Sequence, residues 1–199
     1  MLTGRHIVVG VSGGVAAYKA AYLCRRLIEQ GATVKVVMTG SAGQFVGPAT
    51  FAAITGTHPV VVLFNDPDVS PHTTLARWAD AVVIAPATAS TIAKICSGDS
   101  SNALVATVLA TTRPVLIAPA MHTEMWDHPA TRRNIETLRE FGYGVVGPEE
   151  GDLAGGDRGV GRLADPDDIA GAVSRLFATT DLRDTTVLVT AGGTREPID

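Results

Sequence analysis

The chain has 199 residues, enough for one ordinary α/β domain with a small extension. A chain of this length can bury most of the surface that its unfolded form exposes. Its 46% hydrophobic and 18% charged residues exclude a disordered, collagen-like or coiled-coil protein, and the net charge of −4 argues against nucleic acid as a partner. Cys24 and Cys96 provide neither a disulfide framework nor metal-ligand spacing, so we expect no bound metal.

Short apolar runs alternate with segments of helical periodicity along the chain. The predicted strands are 6–10, 33–38, 58–64, 81–85, 114–118 and 143–146. The predicted helices are 15–30, 41–55, 90–97, 102–111 and 129–141, with a short helix or ordered loop over 72–80 and a last helix that begins at Asp165 and Pro166. This alternation predicts an α/β fold, a doubly wound and mostly parallel sheet with helices on both faces.

The ends of the chain carry further expectations. The first strand begins so early that it leaves no room for a signal peptide, and no apolar run approaches the roughly 20 residues of a membrane span. We therefore expect a cytoplasmic protein that contacts no membrane. Near the other end, 186–190 reads as a new strand followed by a new glycine-rich turn. We expect a domain over 1–180, with 181–199 a linker and the opening of a second domain.

A glycine-rich segment near the end of the predicted domain lacks an apolar pattern. Residues 149–161 contain five glycines, which predicts a long mobile loop. Glycine hinges and missing packing are also what a lid over a site requires, so a lid and simple disorder both remain open.

The segment GVSGGVAAYK joins the first predicted strand to the first predicted helix. Ligands of doubly wound sheets bind beyond the carboxyl ends of the strands, where a helix N-terminus offers free N–H groups to a phosphate. Ser12 can add a hydroxyl donor, and Gly13 and Gly14 let the backbone approach a ligand. The alternative is a turn that serves packing only.

The class of phosphate ligand follows from what this turn and the next strand end contain. The turn is not G-x-G-x-x-G, no acidic residue follows the second strand to hold a ribose, and no G-x-x-x-x-G-K-[ST] motif occurs. NAD and ATP are therefore disfavoured, and a mononucleotide such as FMN remains. Thr39 and Thr88 stand at strand ends facing the same crevice, although each alone is more often a plain helix cap.

Two histidines are candidates for chemistry. His72 lies in PHTTLARWAD and can act as a base if it faces the crevice, although a loop histidine is usually solvated. His122 lies in PAMHTEMW, directly after the fifth predicted strand, and can donate a hydrogen bond to an anionic group. Met125 belongs to an adaptable apolar wall in the same segment. The alternative for this segment is a core-packed loop with a solvent-facing histidine.

Taken together, these segments resemble one family. GVSGGVAAYK, TGSAGQFV, HTTLARWADAVVIAPATASTIAK, GDSSNAL and PAMHTEMW occur in the order seen in homo-oligomeric flavin-containing cysteine decarboxylases. Within that family the chain is similar to phosphopantothenoylcysteine decarboxylase domains that precede a phosphopantothenate–cysteine ligase domain. The resemblance covers about residues 5–178, and TAGGTREPID resembles the opening of the ligase domain.

The resemblance implies a flavodoxin-like fold that binds FMN and assembles as trimers, and further into dodecamers, with the flavin sites between subunits. It implies a carboxy-lyase that converts 4′-phospho-N-pantothenoylcysteine to 4′-phosphopantetheine, through oxidation to a thioaldehyde, loss of CO₂ and re-reduction of the enethiol. It makes His72 the active-site histidine and places His122, Met125 and Asn102 at the substrate. The implied flavin contacts are Ser12, Gly13, Thr39, Pro86, Ala87 and Thr88.

The sequence departs from the family pattern at two important positions. His122 stands where the substrate-binding motif usually has asparagine, and we expect its imidazole to keep the carboxylate-binding role. The flap, at about 149–161, usually carries a cysteine that donates a proton, and the aligned residue here is Gly155. Asp152, Asp157, Arg158 or water is then left to supply that proton, or the reductive half of the reaction is slow.

Two further readings use the same fold. A flavin prenyltransferase or a peptidyl-cysteine decarboxylase remains an alternative enzyme, although the ligase-like tail argues against both. The third reading is a flavin-binding regulatory subunit without full turnover, and the missing flap cysteine is its only support. His72 argues against it, because a purely binding protein has no need of that residue there.

Overall fold

The structure, a computed structural model, describes residues 2–64 and 70–178 together with residues 186, 188, 190 and 192. The predicted strand at 186–190 and the glycine-rich turn after it lie almost wholly outside the described residues. The expectation of a second domain beginning near 181 therefore stays a prediction.

One parallel sheet of five strands forms the centre of the molecule, in the order β2-β1-β3-β4-β5. Its strands are β1 (His6–Val11), β2 (Thr33–Met38), β3 (Ala81–Ala87), β4 (Val115–Pro119) and β5 (Gly144–Val145). The direction of growth reverses between β1 and β3, which is the flavodoxin-like arrangement and puts a ligand crevice at their carboxyl ends. The predicted fold class is confirmed.

Helices cover both faces of this sheet. They are α1 (Ala17–Glu29), α2 (Pro48–Thr55), α3 (Pro71–Trp78), α4 (Ala89–Ser97), α5 (Ala103–Ala110), α6 (Thr123–Asp127), α7 (Pro129–Glu140) and α8 (Pro166–Arg175). Helices α1, α2 and α8 share one apolar cluster with the sheet, and α3 to α7 share the other. Among the described residues, the structure has no helix that is both long enough and apolar enough to cross a membrane.

Strand β3 shows why the runs of apolar residues are continuous rather than alternating. All seven of its residues are buried, with Val83 in the cluster on the α1 side and Val82 and Ile84 in the cluster on the α5 side. A parallel strand between two helical layers has no solvent face, so both sets of alternate side chains are apolar.

Two predicted elements near β2 are wrong in extent. The predicted third strand, 58–64, makes only one bridge, in which Val60 pairs with Val37. Val62 and Phe64 are 51% and 79% exposed, so the segment leaves the sheet edge at once. The predicted helix at 41–55 is divided into a 3₁₀ turn, Gly40–Gln44, and α2, because Gly47 is extended and Pro48 occupies the first turn of α2.

The predicted loop at 149–161 is a β-hairpin, formed by β6 (Glu149–Asp152) and β7 (Arg158–Arg162). Its antiparallel register places Glu149 opposite Arg162 and Asp152 opposite Arg158. Backbone pairing and residues of opposite charge across the strands stabilise the hairpin. Its strands therefore have no alternating apolar pattern in the sequence.

The prediction of α8 is confirmed, since the Asp165 carboxylate accepts a hydrogen bond from the Asp167 N–H.

Candidate active site

A cavity of about 940 Å³ opens at the carboxyl ends of β1, β3 and β4. Its floor and one wall come from the turn after β1, the 3₁₀ turn after β2 and the segments after β3. Helix α6 and the hairpin of β6 and β7 form the opposite side. The site residues predicted from the sequence that line it are Gly13, Thr39, Pro86, Thr88, Asn102, His122 and Met125. This volume is typical of a small-molecule or cofactor site.

Ser12 lies behind the cavity wall and joins β1 to β3. Its buried hydroxyl donates to the Pro86 carbonyl oxygen at 2.7 Å and accepts from the Thr88 N–H at 2.9 Å. The Ser12 N–H donates to the same Pro86 carbonyl at 3.2 Å. Ala87 is also fully buried behind the wall. These contacts fix the positions of Pro86 and Thr88, which line the cavity themselves.

The turn after β1 packs directly against the turn after β2, and we call the surface formed by Gly13, Thr39 and Ser41 the glycine cradle. The Thr39 hydroxyl lies 3.0 Å from the Ser41 hydroxyl and accepts from the Ala42 N–H at 3.3 Å. A Cβ on Gly13 would overlap Ser41 Oγ and lie 2.9 Å from the Ser41 backbone carbon. Glycine is therefore required at position 13, and it leaves backbone and hydroxyl groups at the cavity wall.

Two helix N-termini point at the cavity. Thr88 is the N-cap of α4, where its hydroxyl accepts from the Thr91 N–H at 3.4 Å. Asn102 is the N-cap of α5, where its Oδ1 accepts from the Val105 N–H at 3.0 Å. The capping interpretation of Thr88 is thus confirmed together with its place at the cavity, because both cap residues line it. Helix N-termini favour anionic ligands.

Basic side chains outnumber acidic ones on the cavity lining. Lys19, Lys94 and Arg162 line it, against the single carboxylate of Asp152 among the described residues. Lys94 is paired with Asp99 at 2.6 Å, whereas Lys19 donates to the Leu163 carbonyl at 3.2 Å. Burial lowers the pKa of Lys19, and the Arg162 guanidinium lowers it further. An anionic ligand would relieve this repulsion between like charges.

The hairpin of β6 and β7 packs closely against the segment that carries His122. The Met121 N–H donates to the Gly161 carbonyl at 3.0 Å, and a Cβ on Gly159 would overlap Thr123 Oγ1. At the hairpin tip, a Cβ on Gly155 would lie 3.3 Å from His122 Cε1 and 3.3 Å from Asp157 Oδ2. The tip therefore lies directly beside the imidazole at the mouth of the cavity.

The flavoprotein family model matches residues 1–178, almost nine-tenths of the chain. The chain belongs to the flavoprotein family. Among curated relatives, it is 47% identical over 200 residues to the coenzyme A biosynthesis bifunctional protein CoaBC of Mycobacterium tuberculosis H37Rv, and the match covers 98% of this chain and 48% of that protein. The chain thus spans about half the length of the curated relatives it matches.

Solved structures of decarboxylases share the fold of this flavoprotein. A mutant PPC decarboxylase complexed with pantothenoylaminoethenethiol superposes with a TM-score of 0.77 and 35% identity, covering 87% of this chain and 97% of that one. The FMN-dependent cysteine decarboxylase SpaF gives a TM-score of 0.77 and 34% identity, covering 89% of this chain and all of that one.

His72 of this flavoprotein does not line the cavity of its own chain. It lies in the first turn of α3, a helix that packs against α5. Its Nδ1 is buried and has no hydrogen-bond partner within 2–64 and 70–178. A buried nitrogen of this kind is costly unless something pairs with it. Its predicted catalytic role stays a prediction.

Among the side chains that line the cavity, the sequence did not predict the polar and charged residues Lys19, Ser41, Lys94 and Arg162. Lys19 could have been predicted, because it lies one helical turn after Val15 in a segment already assigned to the site. Arg162 had no such signal, because it lies at the end of a segment interpreted as a loop. Only the pairing of β6 with β7 places it over the crevice.

Proposed function

We propose that this flavoprotein carries out the FMN-dependent decarboxylation of 4′-phospho-N-pantothenoylcysteine to 4′-phosphopantetheine in coenzyme A biosynthesis. The observation that carries the proposal is the cavity at the switch point, where a glycine and hydroxyl cradle faces a second wall built by His122 and Met125. The identity to CoaBC and the fold shared with PPC decarboxylase support it.

The residues of the first wall fit FMN. Gly13 lets Ser41 pack directly against the turn after β1, and Thr39, Ser41 and Thr88 line the cavity there with hydroxyl-bearing side chains. The α4 N-terminus favours a phosphate. Ser12 and Ala87 would support the flavin from behind the wall through Pro86 and Thr88. Bound there, FMN would accept two electrons from the cysteine moiety and return them after CO₂ has left.

The second wall suits the substrate. The His122 imidazole can donate to the substrate carboxylate, Met125 supplies an adaptable apolar surface and Asn102 closes the side next to α5. Positive charge from Lys19 and Arg162 attracts a substrate that carries both a phosphate and a carboxylate. The hairpin then covers the site and excludes water from it.

We further propose that the chain works as a homo-oligomer of trimers, in the cytoplasm, joined to a ligase domain in the full-length protein. In a trimer, α3 of one subunit would bring His72 to the cavity of its neighbour. The position of His72 outside the cavity of its own chain supports this arrangement, because a second subunit would then be needed to bring the imidazole to an FMN site.

Mass spectrometry of the products tests the function. The purified protein, loaded with FMN, is incubated with 4′-phosphopantothenoylcysteine. We expect a product lighter by one CO₂, and its absence while FMN is bound would overturn the proposed activity in favour of a regulatory flavoprotein. The variant His72→Asn should lose turnover by at least about 100-fold and still bind FMN. Unchanged turnover would contradict the assignment of His72.

A further inference from the structure

The proposed reaction needs a proton donor at a defined carbon. The bond from the substrate carbon to its carboxylate breaks, CO₂ leaves, and the electron pair stays on the substrate. A C–H bond must finally form at that same carbon, so the net change is R–CO₂⁻ + H⁺ → R–H + CO₂. The two electrons exchanged with the flavin cancel over the cycle and supply no proton. Resting on the proposed function, we infer that His122 is this proton donor.

The other titratable side chains that line the cavity are unsuited to the task. In the described part of the chain they are Tyr18, Lys19, Lys94, Asp152 and Arg162. Lys94 is held by Asp99 at 2.6 Å and by Ser101 at 2.8 Å, and Lys19 is occupied by the Leu163 carbonyl. Arginine keeps its proton in proteins, whereas a carboxylate carries none to give at neutral pH. Tyr18 is half-exposed with its ring edge-on against Tyr22, and a phenol gives up its proton far less readily than an imidazole at neutral pH.

Histidine is the side chain that exchanges a proton most readily near neutral pH. His122 is the N-cap of α6, and its side chain is left free of a capping bond. His122 lines the cavity together with Met121 and Met125, on the wall proposed above to hold the substrate carboxylate. In the proposed complex, the His122 imidazole binds the carboxylate and therefore lies beside the carbon from which CO₂ leaves. The proton must be delivered to that same carbon.

The tip of the hairpin, at Gly155, lies beside the imidazole of His122. A Cβ at position 155 would lie 3.3 Å from His122 Cε1, so a side chain there would share the space beside the ring. Because residue 155 is glycine, no side chain from this position comes between the imidazole and the cavity. Asp157, whose Oδ2 lies 3.3 Å from the same Cβ position, is exposed together with Gly155 and Gly156, so the hairpin tip is open to solvent. Solvent water can therefore return a proton to the imidazole after each turnover.

The experiment compares His122→Asn with the wild type and with His58→Asn, the same change at an exposed histidine away from the cavity. Asparagine can still donate to a carboxylate but cannot transfer a proton. We expect His122→Asn to bind FMN and release CO₂ while it forms 4′-phosphopantetheine at least about 100-fold more slowly. The product should instead be two hydrogens lighter than 4′-phosphopantetheine and limited to one per bound FMN, because the two electrons stay on the flavin. His58→Asn should match the wild type.

A second variant restores a donor by another route. In His122→Asn/Gly155→Cys, the smaller side chain at 122 makes room for a thiol at 155, and we expect formation of 4′-phosphopantetheine to recover at least about tenfold over His122→Asn. Equal rates of 4′-phosphopantetheine formation for the wild type and His122→Asn would overturn the inference.

Binding supplies a readout that does not depend on turnover. In protein with ¹⁵N-labelled histidine, the His122 ring signals should shift when pantothenoylaminoethenethiol is added to the FMN-loaded protein, and the His58 signals should not. Unshifted His122 signals would overturn the inference. If wild-type protein releases no CO₂, the proposed function fails, and the inference fails with it. If CO₂ is released and His122→Asn still makes 4′-phosphopantetheine at the wild-type rate, only the inference fails.

Discussion

The two sides of the cavity are stabilised in different ways. The side formed by the turn after β1 and the end of β3 depends on buried groups, above all the Ser12 hydroxyl between Pro86 and Thr88. The hairpin side depends on strands with mostly exposed residues, one backbone hydrogen bond to Met121 and the close approach of Gly159 to Thr123. The first side cannot shift without leaving buried polar groups unpaired, whereas the second can.

This difference matches the two tasks of a cavity that keeps its cofactor and exchanges its substrate. A resident cofactor is served by a preorganised wall that belongs to the sheet. A substrate has to enter and leave, so its wall includes a segment with few apolar contacts. The same comparison predicts that substitutions on the first side change stability and FMN binding, and that those on the hairpin change the KM.

Removing the Ser12 hydroxyl should have the largest effect. Ser12→Ala leaves the buried Pro86 carbonyl and the Thr88 N–H without their side-chain partner. We expect a loss of about 3 kcal/mol in the free energy of unfolding, or roughly 150-fold in the unfolding equilibrium. Urea denaturation of both proteins measures it. The control is Ser90→Ala, at an exposed serine on the same rim, and a similar loss in both variants would contradict the special role of Ser12.

Filling the glycine cradle should act on the cofactor. Gly13→Ala places a methyl group onto Ser41, and we expect FMN affinity to fall by about 100-fold. Flavin fluorescence titration measures it. Gly14→Ala is a matched control, because its methyl group would lie 3.5 Å from Thr88 Cγ2, an ordinary contact. FMN affinity that is unchanged in Gly13→Ala would place the flavin elsewhere.

A looser hairpin should weaken substrate binding and leave FMN binding unchanged. In Gly159→Ala the new methyl group meets Thr123 Oγ1, so the hairpin must move away from the segment that carries His122. We expect the KM to rise by about tenfold with FMN affinity unchanged. Val160→Ala, the next residue in β7, is the control because Val160 is partly exposed. A loss of FMN from Gly159→Ala would show that the two sides are not independent.

The sheet and the first wall could be predicted from the sequence because local signals carry them. Buried parallel strands are continuous apolar runs, and the turn after β1 contains its own glycines. Thr39, Thr88 and Asn102 stand at element boundaries, and each caps the element after it, as short polar residues do. In each case the information lies within a few residues of the site itself.

The hairpin and the placement of His72 could not be predicted in this way. Strands β6 and β7 are joined by backbone pairing, and the exposed contact between Arg158 and Glu150 at 3.8 Å forms only after that pairing. His72 was expected at the crevice, yet its position relative to the cavity depends on how α3 packs on α5, which is a long-range property. A segment's own pattern does not contain such contacts.

The salt bridge between Lys94 and Asp99 lies beside the cavity. It tests whether exposed polar contacts stabilise this side of the cavity as buried ones do. The hydrogen bond from Lys94 and those from Ser101 lower the pKa of Asp99 to about 2. The ionised carboxylate is therefore the favoured form in the folded state, and its stabilisation is present at neutral pH and lost as pH falls through about 4 to 2.

Lys94→Gln should raise the pKa of Asp99 toward its ordinary value, which an NMR titration of the carboxyl carbon measures. Because both partners are exposed to solvent, we expect the Tm at pH 7 to fall by at most about 2 °C, with no difference from the wild type at pH 2. Arg132→Gln, which removes the partner of Asp127 outside the cavity, is the control and should change Tm as little. A fall in Tm as large as that of Ser12→Ala would mean that exposed ion pairs, and not only buried hydroxyls, hold the first side in place.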